Sequence, residues 1–129
     1  MPLGEIPRTE CLWRSVYKPD QIKKDGTLKP AFFRDKRGLS CDLAKLSTVD
    51  ASRLGHAVPP MWPITSGLAR FTVANVRDVG ADSDVVHEPL GATPSSRENY
   101  AHCQLTKWLT TEEATQLARV AKVDPVPRF

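Results

Sequence analysis

Proline sets the first limit on this chain. Eleven prolines and seven glycines are scattered through 129 residues, and proline neither donates a backbone hydrogen bond nor fits inside a helix without breaking it. Short strands, short helices and ordered loops are what such spacing favours, and a helical bundle is not expected. With 40% hydrophobic residues the chain is long enough to close one core and too short for two. The expectation is a single domain over 1–129, with an extended lead-in at 1–10 and an extended tail at 124–129. Its class is α+β, with a small, mostly antiparallel sheet, short helices and a C-terminal helix packed on one face.

The elements follow from local pattern. Cys11 to Tyr17 reads as a first strand in which Trp13 and Tyr17 cover the core side. Asp25-Gly26 marks a turn or loose hairpin, and Phe32-Phe33 anchors a loop onto the core. Gly38 to Ala44 alternates as a strand, with Leu39, Cys41 and Leu43 on one face and Ser40 and Asp42 on the other. Ser47-Thr48 can cap a short helix that Gly55 closes, after which three prolines make 56–63 a loop that tucks in Trp62.

Gly67 to Leu105 reads as strand, helical turn, strand, long loop and strand. Leu68 to Val73 is the first of these strands, and Val73, Val76 and Val79 then recur at helical spacing between a Thr72 cap and Gly80. Asp84 to His87 follows as a strand, the polar stretch Leu90 to Asn99 as a loop, and Ala101 to Leu105 as a strand with Cys103 inward and His102 outward. The clearest helix starts at Thr110-Thr111-Glu112-Glu113, an S/T-x-x-E capping box followed by the stripe Ala114, Leu117, Ala118 and Ala121.

Charge and cysteine content narrow the setting. The net charge of +3 is spread along the chain, with a locally basic stretch from Lys18 to Arg37. Three well-separated cysteines without a CxxC spacing read as reduced thiols, and no signal peptide or long apolar run is present. A cytoplasmic protein with no membrane partner is expected. Oligomeric state has no signature here.

Chemistry is dispersed. Phosphate loops, dinucleotide fingerprints, GxSxG elbows and HExxH helices are absent, so no cofactor is expected. No metal is expected either, since His87 and His102 would have to recruit His56, Cys103 or Glu88 without any tight ligand spacing. The candidate catalytic residues are His102 and His87, with Arg14, Ser40, Arg77 and Tyr100 as anion- or ligand-binding groups. Arginines would hold a phosphate or carboxylate while a histidine transfers a proton. Each also has a structural explanation: surface ion pairs for the arginines, a strand-edge hydroxyl for Ser40, and satisfied imidazoles for the histidines.

The segments Leu12-Trp13-Arg14, Ala31-Phe32-Phe33, Gly38-Leu39-Ser40, Val86-His87-Glu88-Pro89 and Asn99-Tyr100-Ala101-His102 together resemble small bacterial proteins of unknown function. The resemblance implies a stand-alone bacterial protein and carries no activity across. Ordered loops, aromatic residues such as Trp62 and Tyr100, and the lack of a catalytic signature favour a binding or interaction module with a protein partner. The alternatives are a small enzyme acting on a phosphate-containing or nucleotide substrate, and nucleic-acid binding through residues 18–37.

Overall fold

The computed structural model describes residues 3–35, 39–58, 65, 67–80 and 82–125. Six antiparallel strands form one sheet in the order β4-β5-β2-β1-β3-β6. They are β1 (Cys11–Val16), β2 (Ser40–Leu43), β3 (Gly67–Thr72), β4 (Val85–His87), β5 (His102–Leu105) and β6 (Lys122–Pro125). Three short α-helices complete the fold: α1 (Val49–Arg53), α2 (Val73–Asp78) and α3 (Thr111–Val120). Among the described residues, no helix is long and apolar enough to cross a membrane.

The helix starts are local chemistry. Thr72 and Thr110 each accept from the backbone N–H three residues on, and Asn75 and Glu113 reach back to the cap N–H, closing two capping boxes. Thr48 caps α1 by accepting from Ala51 N. Asp25-Gly26 turns a loose hairpin in which Ile22 bridges Leu28 and Gly26 takes a φ of 87°. Gly67 opens β3 because a Cβ there would stand 2.9 Å from the Asp124 carbonyl oxygen.

Strand alternation divides the sheet into two unlike faces. Leu12, Val16, Leu43, Phe71, Val85, Cys103 and Leu105 point to one face and are buried beneath α2, α3 and the 3-10 turn Pro30–Phe33. There Phe33 packs edge-on against Phe32 and Phe71, with ring centroids 4.9 and 5.4 Å away. From α3 come Ala114, Leu117 and Ala118, the stripe expected of it.

The second face is polar and covered by different parts of the chain. Ser15 Oγ donates to Arg53 O of α1 at 2.6 Å. The segment after β4 is sewn onto the end of α1 by backbone bonds, Arg97 N to His56 O at 2.8 Å and Val58 N to Ser95 O at 3.0 Å.

Three local expectations need correction. Leu12 and Val16, not Trp13 and Tyr17, face the core; Tyr17 is 46% exposed and its face is the polar one. The lead-in is packed, since Ile6 is buried in the core and Ala74 N and Val73 N donate to Arg8 O and Glu10 O. Residues 122–125 form β6, paired with β3 from Arg70↔Lys122 to Gly67↔Pro125, where only a tail was expected from 124 onward. The expected place of Trp62 lies outside the described residues.

Stability should divide along these lines. Leu117→Ala, which empties a fully buried site, is expected to cost about 2–5 kcal/mol, against about 1 kcal/mol for Thr110→Ala at the α3 cap. Urea unfolding of the two variants measures both, and equal losses would contradict the packing described.

Candidate active site

The site begins where the sheet comes apart. β1 and β2 pair only through Leu12↔Leu43 and Trp13↔Asp42, although β1 continues against β3 as far as Val16↔Gly67. Carried two residues further, the antiparallel register would set Ser15 against Ser40 and direct the Ser40 carbonyl at the backbone of β1. Instead the Ser40 carbonyl accepts from Arg14 Nη1 at 2.7 Å. The guanidinium thus takes the place of a backbone donor where the two strands part.

Arg14 is mostly buried, lies 5.2 Å from the Phe32 ring centroid, and is displaced by burial below its ordinary pKa. Its Nε is buried without a hydrogen-bond partner, and the Asp35 carboxylate offsets only part of the burial that disfavours its charge. A cation withdrawn from water in this way gains from any anion that reaches it.

On the polar face the opening is a cleft of about 220 Å³ lined by Arg14, Tyr17, Asp42, His56, Asn99 and His102 among others. Asp42 organises it. Burial raises the pKa of this carboxyl, but hydrogen bonds from His56, Ser52 and Asn99 outweigh burial and hold it below its ordinary value. Ser52 Oγ donates to Oδ2 at 2.6 Å, His56 Nε2 lies 2.7 Å from the same oxygen, and Asn99 Nδ2 donates to Oδ1 at 2.9 Å. Asn99 is itself fixed, because its Oδ1 accepts from Ala101 N at 3.0 Å.

Two imidazoles adjoin this carboxylate. With Nε2–H donating to Asp42, His56 keeps its lone pair on Nδ1. Its backbone sits at φ 57°, directly after Gly55 at φ 62°, a left-handed conformation uncommon outside glycine, although histidine enters it more readily than most residues. His102 is paired with Asp42 across β5 and β2, at the register position where side chains stand closest. Its Nδ1–H donates to Glu88 O at 2.7 Å, which leaves the lone pair on Nε2. Tyr17 closes one side, its hydroxyl 2.5 Å from where a Cβ on Gly55 would be.

The structure brings Arg14, Ser40 and His102 into one cleft and leaves His87, Arg77 and Tyr100 outside it. His87 pairs with Cys103, so it points to the face opposite His102. Both its nitrogens are engaged, Nδ1 accepting from Leu3 N at 2.8 Å and Nε2–H donating to Tyr100 O. Arg77 clamps the lead-in instead, donating to Asp84 Oδ1 at 2.8 Å and Ile6 O at 2.7 Å. Tyr100 packs edge-on against His87, with ring centroids 4.9 Å apart. His102 lies on the face away from the core as expected, and there the 88–99 segment buries it.

Asp42, His56 and Asn99 were not among the sequence candidates for proton transfer. Signals existed: Asp42 shares the non-core face of its strand with Ser40, and His56 directly follows the glycine that stops α1. No family model, curated protein or solved structure matches the chain.

Acid should uncouple the cluster. Because Asp42 has a lower pKa folded than unfolded, its carboxylate contributes stability above the ordinary value of 3.8 and loses that contribution as pH falls through the folded value. Asp42→Asn should therefore be less stable than the parent at pH 7, with the gap narrowing as pH drops below about 4. Denaturant midpoints across that range check it, and a constant gap would contradict it.

Proposed function

We propose that this chain is a small enzyme that carries out histidine acid–base chemistry on an anionic, phosphate-bearing substrate in the cleft at the β1–β2 seam. The observation that carries this reading is the buried Asp42 carboxylate, which holds His56 Nε2 in the same cleft as His102. A carboxylate on one imidazole nitrogen sets the tautomer and stabilises the cation that forms when the other nitrogen takes a proton. His56 Nδ1 is thereby equipped as a base, and His102 Nε2, once protonated, as the acid. Arg14 supplies the positive charge that draws an anion into the opening.

The nucleophile in this reading is water or a substrate hydroxyl. Ser15 and Ser40 are committed elsewhere, Ser15 Oγ to Arg53 O at 2.6 Å and Ser40 Oγ to Gln104 Oε1 at 3.3 Å. Burial pushes the thiols of Cys41 and Cys103 up, Cys103 to about 12, so neither is a thiolate at neutral pH.

Hydrolysis of bis(p-nitrophenyl) phosphate tests the assignment. His56→Ala and His102→Ala should each lower kcat/KM by about 100-fold or more, while His87→Gln, on the other face, should leave it unchanged. Turnover indifferent to His56→Ala would overturn the reading. Capture of a protein partner is a second reading, supported by the 41% exposed Tyr100 ring outside the cleft. Tyr100→Ala should then abolish a pull-down interaction that His56→Ala preserves.

A further inference from the structure

Arg14 faces a second cleft, on the opposite side of the seam, of about 920 Å³. Its walls are the 3-10 turns Pro19–Gln21 and Pro30–Phe33 together with Trp108, which lies just before α3. Three cations, Arg14, Lys18 and Arg34, line it against the single carboxylate of Asp35. The volume suits a ligand much larger than a phosphate ion.

Trp108 is 52% exposed, and the Arg34 guanidinium lies 4.7 Å from its ring centroid. Arg34 is anchored in turn, since its Nε donates to Leu109 O at 2.9 Å. The indole is thus backed by a cation tethered to the Leu109 carbonyl, while about half of the residue's surface remains open to solvent. A fixed, half-open aromatic ring in a basic cleft offers a stacking surface for a flat ring attached to an anion. An apolar peptide would gain nothing from the three cations.

We propose that this second cleft is a nucleobase subsite, in which the base of a nucleotide, free or within a single strand, stacks on Trp108 while its phosphate reaches Arg14. The assignment rests on the phosphate-bearing substrate proposed above and names its class. Arg14 lines both clefts, so an anion drawn in from either side meets the same guanidinium.

Calorimetry on the full chain, with AMP, ribose 5-phosphate and a hexamer of adenylate as titrants, tests it. AMP should bind more tightly than ribose 5-phosphate. Trp108→Ala should weaken AMP by about 5- to 150-fold, the span set by one base stacked on one aromatic ring, with Trp108→Phe restoring most of the affinity and ribose 5-phosphate unaffected by either. Trp108 is exposed, so its loss leaves the core intact. A hexamer much tighter than AMP supports a single strand as the source, and equal affinities support a free nucleotide. AMP no tighter than ribose 5-phosphate, or unaffected by Trp108→Ala, overturns the subsite. His56→Ala should still bind AMP, so a failure of catalysis and a failure of base binding are read separately.

Discussion

The hydrogen bond from Arg14 to the Ser40 carbonyl governs how this molecule is laid out. It lies where β1 and β2 stop pairing beyond Trp13 and Asp42, on a carbonyl that a continued ladder would turn toward the β1 backbone. The sheet is there two three-stranded halves hinged on two residue pairs, and Arg14 lines a cleft on each side of the hinge. A charged side chain between strands is costly, because burial disfavours its charge. The cation–π contact with Phe32 and the bond to Ser40 offset part of that cost. An anion in either cleft would offset more.

Asp42 presents the complementary case. Its carboxylate is also withdrawn from water, but it is partnered on both oxygens: two hydrogen bonds reach Oδ2 and one reaches Oδ1. Each donor comes from a separate element, Ser52 from α1, His56 from the turn that ends it and Asn99 from the end of the 88–99 segment. One charged group therefore gathers three pieces of chain that have no apolar reason to meet. The left-handed backbone of His56 is tolerated because Asp42 and the Arg97 bond to its carbonyl over-determine it.

What could be read in the sequence was what is decided within a few residues. The caps of α2 and α3 need only a threonine and its partner three positions on, and Thr72, Asn75, Thr110 and Glu113 supply them. Alternation likewise set Cys103 and His102 on opposite sides of β5. What escaped was register. That His87 faces Cys103, and not His102, depends on how β4 slides along β5, which no local pattern encodes. Asp42 and Asn99 lie 57 residues apart, and only the β2–β5 pairing and the fold of the intervening loop bring them together. β6 was hidden for another reason: Lys122, Asp124 and Pro125 have the composition of a tail, and an outermost strand needs only one hydrogen-bonded neighbour.

That outermost strand has a bearing on how the protein comes off the ribosome. β3 is complete at Thr72, yet the partner for its outer side emerges only with Lys122–Pro125, about fifty residues later at the 5–20 residues per second typical of translation. For those seconds the β3 flank is an unpaired template open to other nascent chains. Arg70, whose charge is balanced in the finished fold by Asp124 at 2.6 Å, stands on that flank as an unneutralised cation until β6 arrives. The pairing that balances Arg70 is thus also the one that closes the open flank of β3.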